Sequence, residues 1–200
     1  MGSQHVLGFG MILAGLALTS GGILVLSRGR AAVSSTNADP SQGPPTSEEK
    51  GRKFEDWVVR KFNPSYFIIK DWRGDKNVAG IYAESSKLPD LEIEFRLKDQ
   101  RTLFAVECKW RRSFESGGKP RIEWATPRQI DTYRQFQRDR GMPVFAVIGI
   151  GGEPDHPAEL YIVHLDRLKY PFATAEYLAK FRRGTISDDF FFDSKKPELR

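Results

Sequence analysis

The run from Leu91 to Trp110 constrains the fold of this chain more than any other stretch. Leu91, Ile93, Phe95 and Leu97 alternate with Glu92, Glu94 and Arg96, and Phe104, Val106, Cys108 and Trp110 alternate with Leu103, Ala105, Glu107 and Lys109. A period of two is the pattern of a β-strand. The polar stretch Lys98-Asp99-Gln100-Arg101 between the two halves predicts the turn of a hairpin. Centring that turn between Asp99 and Gln100 pairs Asp90 with Lys109 and Glu92 with Glu107, and cross-strand partners share a face roughly 5 Å apart. Asp90, Glu107 and Lys109 are thereby expected at one end of one face, with the other face almost wholly apolar. Two carboxylates and an ammonium at the end of a buried hairpin are costly unless they serve a purpose. Their chemistry suits a hard divalent cation and the activation of a water.

The chain has 200 residues, enough for one globular domain with a proper core and some additional sequence. Arg28, Arg30 and Asp39 are the only charges in the first 45 residues, which leaves 46–200 with a net charge of +4. That balance permits a nucleic-acid partner without demanding one. A single cysteine, Cys108, excludes an intrachain disulfide framework and a Cys-rich zinc site.

Val6 to Leu26 is apolar or small apart from Thr19 and Ser20, and its length matches the roughly 20 residues that cross a bilayer. A transmembrane helix is predicted over 5–27. The competing reading, a cleaved signal peptide, wants basic residues before the apolar run. Here Arg28 and Arg30 follow it instead, an asymmetry that predicts the bulk of the chain on the cytoplasmic side of the membrane. Gly8, Gly15 and Gly22 recur at a spacing that suits a helix–helix contact, or are simply glycines scattered in a membrane span. Residues 28–45 are rich in Ser, Thr, Gly, Pro and Ala without periodicity and predict a flexible linker, roughly 20–25 Å on average. The remaining 46–200 form the soluble domain.

That domain is expected to open with a helix. Thr46-x-x-Glu49 resembles a capping box, Phe54, Trp57, Val58 and Phe62 give an apolar stripe, and Pro64 ends it. Tyr66–Trp72 predicts a strand before the hairpin. Thr126 then reads as an N-cap with Pro127 at the first helical position, and Gly141 with Pro143 stops the helix after Arg140. Val144–Ile150 predicts a buried central strand, Gly151–Asp155 a loop, Glu159–Leu165 a strand, Ala173–Phe181 a short helix, and Phe190–Phe192 a last strand. The fold class this implies is α/β, a mixed β-sheet flanked by helices. Gln129 and Tyr133 share a helical face, and the start of their helix is a candidate phosphate site. Arg111, Arg112, Lys119, Arg121, Arg128, Arg134, Arg138 and Arg140, interleaved with Trp110 and Trp124, are a candidate surface for gripping a nucleic-acid backbone. His156 and His164 show no ligand spacing, and His164 reads as an ordinary strand residue.

With Phe54-Glu55 on a preceding helix, Asp90 and Glu107-x-Lys109 resemble the PD-(D/E)xK nuclease superfamily, which has a restriction-endonuclease-like fold. The string Ala105-Val106-Glu107-Cys108-Lys109-Trp110-Arg111 is similar to the Mrr-like branch of type IV restriction enzymes, and Gln129-x-x-x-Tyr133 to the QxxxY element of RecB-type nucleases. The resemblance covers roughly residues 48–150. It implies a metal-dependent deoxyribonuclease that uses Mg2+, with Mn2+ as an alternative. Asp90, Glu107 and the backbone carbonyl of Cys108 would hold the metal. Lys109 would orient the attacking water or stabilise the charge that develops on phosphorus. It also implies that Glu55 contacts the metal through water and that Gln129 and Tyr133 contact the DNA backbone or that water. Glu92, placed opposite Glu107 by the expected register, is an additional ligand, a group behind the site or a solvent-facing residue. With the membrane segment, these residues predict a single-pass membrane-anchored DNA endonuclease with its nuclease domain in the cytoplasm. Many nucleases that cut both strands act as dimers, so a homodimer is an expected partner arrangement. The alternative is a nuclease-fold module, catalytically idle, that tethers DNA or a protein at the membrane.

Overall fold

The computed structural model describes residues 43–73, 77–78, 81–82 and 87–200. The predicted membrane span and all but the last three residues of the predicted linker lie outside them. No helix among the described residues is long and apolar enough to cross a membrane.

Helix α1 (Ser47–Val59) starts as the sequence predicts. The Thr46 hydroxyl accepts from the Glu49 N–H at 3.2 Å, and the Thr46 N–H donates to the Glu49 carboxylate at 2.7 Å, so two end groups of the helix are satisfied locally. Phe54, Trp57 and Val58 form its buried stripe. The chain continues through β1 (Phe67–Trp72), the short pair β2 (Asn77–Val78) and β3 (Ile81–Tyr82), β4 (Leu91–Leu97), β5 (Gln100–Arg111) and β6 (Arg121–Glu123). Helix α2 (Pro127–Arg140) follows, capped by Thr126 and closed by Gly141 in the left-handed conformation, where glycine carries no Cβ penalty. Then come β7 (Val144–Glu153), β8 (His156–His164), β9 (Phe172–Thr174), α3 (Ala175–Leu178), β10 (Phe192–Asp193) and β11 (Glu198–Leu199).

One five-stranded sheet runs in the order β1-β4-β5-β7-β8. β5 and β7 are parallel, and the other neighbours are antiparallel. A parallel pair needs a crossover connection, and β6 with α2 supplies it. The sheet is buried on both faces. On one, Phe54, Trp57 and Val58 of α1 pack on Leu91, Ile93, Phe104, Val106 and Val147, and Phe192 stacks on Phe104 with ring centroids 4.7 Å apart. On the other, Ile130, Tyr133 and Phe136 of α2 pack on Ala105, Ala146, Ile148 and Val163. Fully buried Trp124 helps close that side, its indole N–H donating to the Tyr170 carbonyl at 2.7 Å.

Several sequence expectations are corrected. The hairpin turn lies at Lys98-Asp99, because Leu97 pairs with Gln100 and Leu91 with Val106. Asp90 is therefore level with Glu107 rather than Lys109, and Glu92 faces Ala105. The slip is two residues, so every side chain keeps its expected face. Most of the expected Gly151–Asp155 loop is strand: β7 runs to Glu153 and β8 begins at His156, with the glycines at positive φ bending the ribbon. The predicted helix from Ala173 starts at Ala175, after a strand that pairs with β6. The strand expected at Phe190–Phe192 begins only at Phe192, and a further strand, β11, follows and pairs with it. His164 is the final residue of β8, and its Nδ1 accepts from the Asp166 N–H at 3.2 Å.

Candidate active site

The site exists because β5 outruns β4. The β4–β5 ladder stops at Leu91–Val106, and β5 continues to Arg111 with its β4 side uncovered. Asp90 fills the first gap, its Oδ2 accepting the Cys108 N–H at 2.7 Å. In an extended strand a residue's N–H and C=O leave on the same side, so the Cys108 carbonyl faces the side on which Asp90 stands. The Glu107 and Lys109 side chains project from the face of β5 on which α2 packs.

Glu107 is the centre of the arrangement and only 2 % exposed. Its Oε1 accepts the Tyr133 hydroxyl at 2.6 Å and lies 2.5 Å from the Lys109 Nζ. Its Oε2 is buried with no hydrogen-bond partner among the described residues. Glu55, on the buried face of α1, accepts from the Trp72 indole N–H at 3.4 Å. Asp90, Glu107, Lys109, Glu55, Gln129 and Tyr133, with Cys108, all line one cavity of about 540 Å³.

Burial, and after it the charge of Glu107, pushes the Asp90 carboxyl well above the usual range, against the pull of Lys109. Burial also raises Glu55, to about 7, with the Trp72 hydrogen bond opposing and Glu107 reinforcing. Burial alone would lower the Lys109 ammonium, but Glu107 and Asp90 outweigh it and hold it above its ordinary value. Tyr133 is raised by burial and then by Glu107, so its hydroxyl is a fixed donor.

These shifts describe a pocket with more acid than it can ionise comfortably. A cation is what relieves such a pocket, and an orphaned buried Oε2 is what a cation would satisfy. Among the described residues no three His, Cys, Asp or Glu side chains gather closely enough to enclose a metal ion by themselves.

Other expected roles change. Glu92 is neither a ligand nor a solvent-facing group. It is buried in ion pairs with Arg73 and with Arg140, the latter at 3.1 Å. The Gln129 carbonyl closes its own helix, accepting from the Thr126 N–H at 3.0 Å, while its N–H goes to the Thr126 hydroxyl. With Pro127 lacking an N–H, the cap leaves little of the expected phosphate site at the start of α2. Tyr133 does two jobs, its ring in the core and its hydroxyl on Glu107. Of the eight basic residues only Arg111 and Arg112 line the cavity, with Lys50 of α1 and Arg73, whereas Arg128, Arg134, Arg138 and Arg140 line a separate hollow along α2. Trp110 lines the cavity too, whereas Trp124 is buried in the core and offers no face to a ligand.

Arg73 has no signal in the sequence. Its backbone N–H donates to the Asp90 carbonyl at 2.7 Å, its Nη1 to the Pro89 carbonyl at 2.8 Å, and its Nη2 to Glu92. It braces the turn that carries Asp90. No local pattern announces it, because it sits just past a strand end and its partners are remote in sequence.

No family model matches this chain, and no curated protein matches it. Among solved structures it is similar to Hjc, a Holliday junction resolvase from the archaeal hyperthermophile Archaeoglobus fulgidus. The TM-score is 0.44 and the identity 15 %, over 65 % of this chain and 93 % of that one. At that score the likeness is a loose one.

Proposed function

We propose that this chain is a metal-dependent DNA endonuclease of the PD-(D/E)xK type, Mrr-like in its local motif and held at the cytoplasmic face of a membrane by residues 5–27. The observation that carries the nuclease reading is the Glu107 carboxylate, fixed through Oε1 by Tyr133 and Lys109 while buried Oε2 has no hydrogen-bond partner among the described residues, with Asp90 beside it just before the start of β4. Asp90, Glu107 and the Cys108 carbonyl would hold Mg2+ or Mn2+, and a bound ion would supply Lewis acidity and neutralise charge on a phosphate. The chain's own residues do the rest. Lys109 keeps its proton and donates to a phosphate oxygen or orients a water. Tyr133 holds Glu107 in place. Glu55, poised near neutrality, accepts or holds a proton at the cavity wall.

The test is plasmid DNA incubated with the full chain. Nicking is expected with Mg2+, abolished by EDTA and by Asp90→Ala. Lys109→Met should cut turnover by at least about a hundredfold while Mg2+ binding largely survives. Binding without cleavage would leave the tether reading instead.

A further inference from the structure

Arg111 is the next residue after Glu107 and Lys109 on the same face of β5. It is half-buried and lines the same cavity. Its Nε donates to the Glu123 carbonyl and its Nη1 to the Trp110 carbonyl, each at 3.0 Å. Among the described residues no carboxylate lies within ion-pair distance of it, in contrast to Arg73, Arg121 and Arg140, which pair with acidic side chains. Burial presses the guanidinium below its ordinary value, with Glu123, Glu107 and Glu115 opposing only at a distance.

A partly buried cation without a counter-ion is costly. The two carbonyls fix its orientation without neutralising it, and Nη2 is left over. Arg112, its exposed neighbour, has neither feature. We propose that Arg111 is a phosphate-binding subsite, pre-set by the Glu123 and Trp110 carbonyls to take a backbone phosphate of the nucleic-acid strand beside the one at Lys109. The inference rests on the nuclease reading and narrows its basic surface to one built contact. Guanidinium suits this task because its fork of donors fits a phosphate while part of it is already committed.

The experiment measures binding of a fluorescein-labelled DNA duplex to the full chain by anisotropy, in EDTA so that nothing is cut, across 50–200 mM NaCl. Arg111→Ala is expected to weaken binding about tenfold and to flatten the log–log salt slope by about 0.9, one phosphate contact. Arg111→Gln keeps a hydrogen bond to the carbonyls and removes the charge, so it should flatten the slope equally with an unchanged melting temperature. If either variant folds and keeps the wild-type slope, Arg111 is a strut between β5 and β6 and the subsite is overturned. A wild-type chain that binds no duplex at any of these salt concentrations overturns the DNA reading, and the subsite with it.

Discussion

Glu55 is the group in the cavity whose ionisation lies near neutral pH, and the sign of its effect on stability is definite. Its carboxyl sits near 4.5 in an unfolded chain and at about 7 in the fold. The stability that neutral Glu55 contributes is therefore fully present below pH 4.5 and is lost as pH rises through 7. Asp90 shifts in the same direction. The metal-free protein should thus melt at progressively lower temperature between pH 5 and pH 8, and Glu55→Gln should flatten that decline. A variant with the wild-type slope would show that Glu55 does not titrate in this range. Tyr133→Phe separates the two jobs of that side chain. The ring stays in the core, while Glu107 loses one of its two donors. A hydrogen bond to a charged group is worth about 1.5–3 kcal/mol, so a loss near the bottom of that range is expected in urea unfolding, with turnover reduced about tenfold. The family resemblance pointed to Glu55 and Tyr133, and both line the cavity with Asp90 and Glu107. The capping role of Gln129 was not legible, although Thr126-x-x-Gln129 has the form of a capping box, because a functional reading of the glutamine competed with it.

At the scale of elements, the hairpin is the device that makes the site, and its turn is its weakest joint. Lys98 adopts φ 53°, the left-handed region that glycine occupies without penalty. Lys98→Gly should stabilise the protein by up to about 0.5 kcal/mol, the relief of strain outweighing the added flexibility of the unfolded chain, and should leave cleavage unchanged because it preserves the register. A loss of activity would mean that the turn does more than set Asp90 level with Glu107. The second joint is Gly149 of β7. A Cβ there would lie 2.5 Å from Cε2 of Phe54, a fully buried ring that has no room to give. Gly149→Ala should push α1 away from the sheet, cost about 1–3 kcal/mol and move Glu55, the residue after Phe54 in α1. The two long helices, α1 and α2, and most strands were readable in advance, since Thr46, Thr126, Pro127 and Gly141 punctuate the helices and apolar periodicity fills them all. The two-residue error in register had a physical origin. The polar run Lys98–Arg101 is longer than the turn it contains, and hydrophobic alternation fixes the parity of a register without fixing its position. Strands β6, β9 and β11 escaped notice because two or three residues are too few to show a period.

The molecule as a whole trades stability for a charged cavity, and that exchange can be measured. Asp90, Glu107 and Glu55 repel one another in the absence of a cation, with Lys109 the compensating charge beside them. Asp90→Asn removes one negative charge and keeps an oxygen that can accept the Cys108 N–H. At pH 8 without metal it should therefore leave the melting temperature unchanged or higher, while abolishing cleavage. The wild-type chain should show the complementary behaviour. Magnesium at ten times its dissociation constant stabilises by about 1.4 kcal/mol, roughly 3–6 °C for a chain of this size. Because the cation competes with protons on Asp90 and Glu55, its shift should be larger at pH 8 than at pH 6 and absent in Asp90→Asn. If Asp90→Asn instead lowers metal-free stability by more than about 1 kcal/mol and magnesium moves neither protein, the cluster is a structural ion network that holds β4 against β5, and the carboxylates are not a metal site.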